Sequence, residues 1–256
     1  MSDILARYGP LFLYTYTVVM GLGLVVALGL SAVLARRVAL AGWLDGALAA
    51  AAGALPGGRA VFVWLNAAYF AENPAEAWQL WLGGLNYYGA LLGGMAGLAL
   101  WARLSRRPLA AYAGLLAPGL ALLAAAGWAA CRFEGCAYGR PPAADLPQAL
   151  NFLVGNLPDD LGVFAARYRT QLAGMLGSLV VFALSLAAFG RVRPGLLFWG
   201  TLGGLSLVRV VVALGRGDAA LMVGAWRLDL LMDLAILAAS LLAGVALLID
   251  NGRRST

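Results

Sequence analysis

The sequence contains no histidine and no lysine, and only two cysteines. Without histidine the usual general base near neutral pH is missing, along with the commonest nitrogen ligand for metals. Two cysteines alone make a poor transition-metal site, so no metal is expected. The absent lysine, set beside abundant Ala, Gly and Arg, follows genomic base composition and carries little functional information. Charge is scarce, at 12% of residues against about 25% in a soluble domain. No fixed-period repeat and no inverted halves are visible, which speaks against a transporter. The opening "MSDILARYGP" lacks the pattern of a cleavable signal peptide.

What remains is apolar. Hydrophobic residues make up 62% of the 256 residues, and mean hydropathy is +0.84. Runs of about 20 apolar residues, enough for a hydrocarbon core of about 30 Å, follow one another with short gaps. Seven spans are expected, at roughly 11–34, 43–69, 86–104, 109–131, 171–190, 195–214 and 226–249. The chain thus reads as a single all-α, polytopic membrane domain over residues 1–256. Its polar, Pro-rich segment at 132–170 is expected to include a short interfacial helix.

Arginine sets the expected orientation. With seven spans, Arg36 and Arg37, then Arg103, Arg106 and Arg107, then Arg191 and Arg193, then Arg253 and Arg254 share one side. Short Arg-bearing loops stay cytoplasmic, so the N-terminus faces out and the C-terminus in. Trp64, Trp78, Trp81, Trp128 and Trp226 fall near the outer ends, where aromatic belts form. The net charge of +6 follows from this topology and calls for no nucleic acid.

Eight further arginines lie in the outer half: Arg59, Arg132, Arg140, Arg167, Arg169, Arg209, Arg216 and Arg227. A charge within a span costs at least about 2.5–3.5 kcal/mol and needs a partner or a watery cavity. Arg209 lies inside the sixth span and shares a helix face with Arg216, seven residues on. Snorkelling to the interface is the other reading for both. Asp229 and Asp233, four apart, offer partners for Arg209 or Arg227. The acids nearby are fewer than the arginines, and guanidinium forks fit phosphate. A site for a phospholipid head group is therefore expected. Glycine pairs in "PGGR", "LGGLNYYGALLGG" and "TLGGL" mark close approach, either of helices or of a ligand.

These residues bring a family into view. "GGRAVFVWLNAAYFAENPAEAWQLWLGGLNYYGALLGG" resembles a segment of prolipoprotein diacylglyceryl transferases. There Gly-Ala-Arg opens a span, Asn-Pro follows, and Gly-Gly leads into His-Gly-Gly-x-x-Gly-Gly. "YTYTVVMGLGL" is similar to the first span, with Tyr16 at the Tyr-Gly site. "GWAACRFEGCAYGR" resembles the signature Gly-Arg-x-Gly-Asn-Phe-x-Asn-x-x-x-x-Gly-Arg, and more closely a Cys-bearing variant of it. "RYRTQLAGML" and "VRVVVALGRGD" are similar to Pro-Thr-Gln-Leu-Tyr-Glu and Arg-Phe-x-x-Glu-x-x-Arg-x-x-Asp.

The resemblance covers nearly the whole chain in order. It implies a multi-pass enzyme of the bacterial plasma membrane that moves diacylglycerol from phosphatidylglycerol to the lipobox cysteine of a secreted precursor. It implies no metal and no organic cofactor. Matching positions suggest substrate contacts at Tyr16, Arg59, Asn86, Gly89, Gly93, Gly94, Gly139, Arg140, Gln171, Arg216 and Asp218, with Arg209 as a catalytic residue. Four positions depart: the motif His falls on Tyr88, the signature Arg on Trp128, the signature Asn on Cys131, and a Glu on Ala213. Arg132, one helical turn beyond Trp128 on the same face, takes over the phosphate contact or else pairs with Glu134. Tyr88 stands as the third catalytic candidate. Cys131 and Cys136 read as apolar packers, as a disulfide outside the cytoplasm, or as a reactive thiol. The other functional classes are a divergent member with another lipid or acceptor, and a non-catalytic binder of anionic phospholipid.

Overall fold

The computed structural model describes residues 4–8, 11–143 and 146–254. Parts of the expected outer segment (residues 144 and 145) and of the opening stretch lie outside the described residues, as do the side chains of Arg253 and Arg254. The helices are α1 (Thr15–Arg37), α2 (Trp43–Leu65), α3 (Ala67–Glu72), α4 (Tyr87–Leu104), α5 (Leu109–Glu134), α6 (Thr170–Ala188), α7 (Pro194–Ala213) and α8 (Leu228–Arg254). Their apolar runs hold few breakers. Pro194 opens α7 at a position where its missing N–H costs nothing. Asn86 caps α4 by accepting the Gly89 N–H at 3.0 Å.

The chain is thus a multi-pass, mainly helical membrane protein. Among the described residues, six helices are long and apolar enough to cross a membrane: α1, α2, α5, α6, α7 and α8. The expected span at 86–104 forms α4, which has 18 residues and is not one of the six. Four glycines, two tyrosines and Arg103 dilute its apolar character.

Three antiparallel hairpins supplement the helices: β1 (Ile4–Tyr8) with β2 (Leu11–Tyr14), β3 (Val154–Pro158) with β4 (Phe164–Tyr168), and β5 (Met222–Val223) with β6 (Trp226–Arg227). The interfacial helix expected within 132–170 is reduced to a 3₁₀ stretch at Gln148–Leu153, followed by the β3–β4 hairpin. Prolines 147 and 158 bracket this segment and cut off longer helix.

Contacts group the chain into two compact units. In the unit Ala32–Leu115, α2 and α4 meet backbone to backbone. Gly53 and Gly57 lie against Gly89, Gly93 and Gly97, and a Cβ at Gly53, Gly89 or Gly93 would overlap the facing carbonyl. This is the close approach that small residues four apart permit between membrane helices. Trp101 packs edge-on to Tyr112 at 4.8 Å, and the Tyr112 hydroxyl donates to the Ala41 carbonyl at 2.6 Å.

The other unit holds the rest of the chain. Here α1 lies against α5, with Gly23 facing Ala126 and Gly119 facing Ala27 and Ser31. Helices α6 and α7 pack Gly177 against Val208 and Gly204 against Val181. Ser185 and Thr201 share a buried hydrogen bond of 2.8 Å between them. Gly203 of α7 receives Ser240 of α8.

The glycine ladder makes a direct test. Gly93→Val overfills the α2–α4 contact and is expected to cost about 1–3 kcal/mol. Gly21→Ala, which has open space around it, serves as the control. Thermal unfolding in detergent should show a lower Tm for the first alone; equal Tm values would sink the backbone-contact reading.

Candidate active site

The C-terminal end of α5 and the N-terminal end of α6 frame a cleft of about 400 Å³. Trp128, Arg132, Leu157, Arg169, Gln171 and Met175 line it, among others. Trp128 forms a buried wall, 7% exposed. Its ring lies directly on Gly174 of α6, where any Cβ would overlap it. Glycine at 174 is therefore what gives the indole its place.

Past Glu134 the chain reverses through Gly135, at φ +75°. Cys131 and Cys136 are joined as a disulfide, which settles the three readings in favour of the bond. The following residues thread between α6 and the end of α7. Gln171 donates to the Cys136 carbonyl at 2.9 Å and Thr170 to the Ala137 carbonyl at 2.6 Å. The Gly217 N–H donates to Tyr138 at 2.8 Å and the Arg140 N–H to Gly215 at 2.9 Å. Gly139 bridges Arg216 and touches the Tyr168 carbonyl too closely for a Cβ. Gly139, Arg140, Gln171 and Arg216 are thereby brought together.

The outer-half arginines fall into two groups. Arg209 places Nε 2.9 and 3.1 Å from the two oxygens of Asp233, which is 1% exposed. Arg216 binds Asp218 through Nε at 2.8 Å and Asp229 through Nη1 at 2.9 Å. Arg227 binds the same two acids, at 3.3 and 3.1 Å. Burial alone lowers the Arg227 pKa, but the hydrogen bonds and charges of Asp229 and Asp218 outweigh it and hold the group above its usual value. Arg167 pairs with Asp159 at 2.9 Å and lies over the Tyr138 ring at 5.0 Å.

The second group is Arg132, Arg140 and Arg169. All three are exposed, and none forms an ion pair among the described residues. The considered pair of Arg132 with Glu134 is thus not made. Arg169 donates Nε to the Val154 carbonyl at 3.0 Å. Two of these guanidiniums, Arg132 and Arg169, line the cleft.

Arg59 stands apart from both groups. Buried at 6% exposure, it donates to the carbonyls of Glu76, Ala77, Gly83 and Gly84. The rings of Phe62 and Phe70 flank it at 5.5 and 5.2 Å. It organises the loop before α4. Asn86 caps that helix, while Gly89, Gly93 and Gly94 face α2. Tyr88 is buried and meets Tyr87 edge-on at 5.2 Å. Tyr16 opens α1, half-buried and within electrostatic range of Glu134.

Arg169 stood among the outer arginines in sequence, yet only the fold places it in the cleft. Met175 and Leu157 give no sequence signal beyond apolarity. Trp128 interrupts a run of small residues, and that bulk was the available clue.

Comparison with known proteins extends this picture. The model of the family described as prolipoprotein diacylglyceryl transferase matches residues 3–249. A phosphatidylglycerol–prolipoprotein diacylglyceryl transferase of Nostoc sp. is 32% identical over 96% of this chain and 88% of its own. The protein of that name from Synechococcus elongatus is 30% identical, covering 91% and 83%. The one from Corynebacterium efficiens is 32% identical, covering 89% and 76%.

Asp233→Ala removes the buried carboxylate that meets the part-buried Arg209 guanidinium and is expected to destabilise the protein by about 3 kcal/mol. The double variant Arg209→Ala/Asp233→Ala should recover part of that loss. Thermal unfolding of the set in detergent checks it; a double variant worse than either single would contradict the pairing.

Proposed function

The chain belongs to the prolipoprotein diacylglyceryl transferase family, and on that premise we propose that it moves the diacylglyceryl group of phosphatidylglycerol onto a cysteine thiol of a secreted precursor. The observation that supports this reading at a place in the fold is the cleft with two guanidiniums that form no ion pair among the described residues. A phosphate fits there as the missing anion.

The reaction is a displacement at carbon. The cysteine sulfur forms a bond to the glyceryl carbon while the bond from that carbon to the phosphate oxygen breaks. Glycerol phosphate leaves with the electron pair, and the thiol proton ends on that product. Charge grows on the phosphate as it departs. Fixed cations aimed at that charge lower the barrier, because they need no reorganisation when it forms.

In this reading Arg132 and Arg169 hold the phosphate, and Gln171 and Trp128 bound the space beside it. Arg140 and Gly139 tie the segment after α5 to residues 215–216 at the end of α7. Arg209 and Arg216, held by Asp233 and by Asp218 with Asp229, keep α7 and α8 in place beneath the cleft. Tyr16 belongs to α1, while Arg59, Asn86, Tyr88, Gly89, Gly93 and Gly94 hold α2, α4 and the loop between them together within their own unit.

The membrane is the bacterial plasma membrane, with the cleft at its outer face. Two features support that orientation. The disulfide suits an oxidising compartment, and the arginines between α1 and α2, α4 and α5, and α6 and α7 suit the cytoplasmic side. The same orientation has α4 as a seventh crossing and the N-terminus outside. A divergent acceptor is the second reading, favoured by Trp128, Tyr88 and Ala213 at motif positions.

Purified protein incubated with phosphatidylglycerol and a lipobox peptide should yield a thioether-linked diacylglyceryl peptide, read by mass spectrometry. Arg132→Ala should lower kcat/KM about 100-fold. Bound lipid without product would reduce the protein to a binder, and product only on another acceptor would establish the second reading.

A further inference from the structure

The cleft poses a problem of aim. Arg132 sits in the last turn of α5, at an exposed helix end, where the final carbonyls lack intrahelical partners and the turn frays. An arginine there has many rotamers to choose from. Something must hold the turn if the guanidinium is to meet a phosphate in one place.

The chain just past the turn is held firmly. Cys136 accepts from Gln171, Ala137 from Thr170 and Tyr138 from Gly217. Ala137 adopts φ +55°, a left-handed conformation that a non-glycine residue keeps only where its surroundings enforce it. The disulfide is the covalent tie from this fixed segment back to the fraying turn, and its helix end is the residue before Arg132. Cys131 itself packs against the cluster of Trp128, Ala137 and Val212. The next residue on a helix points about 100° away. With Cys131 held inward, Arg132 is directed to the cleft side.

Resting on the functional reading above, we propose that the Cys131–Cys136 disulfide, with Gln171 anchoring its far end, is a positioning device that aims Arg132 at the lipid phosphate. The disulfide touches no substrate. It acts through Arg132 alone, and its effect therefore vanishes when that guanidinium is gone.

The experiment follows binding of fluorescently labelled phosphatidylglycerol to the full chain in detergent, by anisotropy. Four proteins are compared: the oxidised parent, Cys131→Ser/Cys136→Ser, Arg132→Ala, and the triple variant. Losing the bond should weaken binding about tenfold, the scale expected of a misplaced contact group. Adding the serine pair to Arg132→Ala should bring no further loss. The same comparison with a phosphine reductant on folded parent and folded Arg132→Ala gives a second reading that needs no refolding; there the S–S bond gains two electrons, two thiols form and the phosphine is oxidised. Reoxidation should restore affinity in the parent. Unchanged affinity without the bond, or losses that add in the triple variant, overturns the positioning role. If the oxidised parent itself binds no phosphatidylglycerol, the functional reading falls and takes this inference with it.

Discussion

A guanidinium group near a bilayer must be answered, and the kind of answer it receives sorts the arginines of this chain by role. Carboxylates answer Arg167, Arg209, Arg216 and Arg227. Backbone carbonyls and two aromatic faces answer Arg59. These five are consumed in holding the structure. A buried charge left alone would cost several kcal/mol, so the pairing is a condition of the fold. The exposed remainder, Arg132, Arg140 and Arg169, forms no ion pair among the described residues, and it is there that the proposed phosphate contact is placed.

The second constraint is room. Small residues let helices approach closely, and the saved volume is used unevenly. Between α2 and α4 it brings backbones into contact. Between α5 and α6 a single glycine admits a whole indole. An arginine at 128, as the family signature has it, would present a charge one turn deeper than Arg132 does. The shift from 128 to 132 moves the cation about one helical pitch, roughly 5 to 6 Å, toward the C-terminal end of α5. It leaves behind an apolar wall, the buried Trp128 ring on Gly174.

Much of this was legible in the sequence because membrane helices obey a simple rule of length and apolarity. Each expected span coincides with a helix to within a few residues, apart from the second, which breaks at Asn66 into α2 and α3. The alternative reading of the deep arginines, as partners of Asp229 and Asp233, is the arrangement found: Asp233 meets Arg209 and Asp229 meets Arg227 and Arg216, where the resemblance suggests that Arg209 and Arg216 face substrate. Less legible were features that depend on distant chain segments. The hairpins carry weak local signals, and the β3–β4 strands mix Gly, Pro, Asn and Arg with apolar residues. The sorting of arginines by partner was invisible too, since Arg132 and Arg167 look alike until one finds Asp159 and the other a cleft. The partners of Arg59 were equally hidden: its match to a motif suggested substrate, and nothing local announced the four carbonyls of the following loop that it meets.

The short segment from Cys136 to Arg140 bonds to residues 168, 170, 171, 215, 216 and 217, all of which follow it in synthesis. These bonds are complete only once α6 and α7 have both been made. This junction is consequently among the last parts of the molecule to be finished, and a nascent chain halted before α7 has most of its helices but not the bonds that join their ends. Synthesis order thereby leaves the closing of this junction until most of the protein has been made.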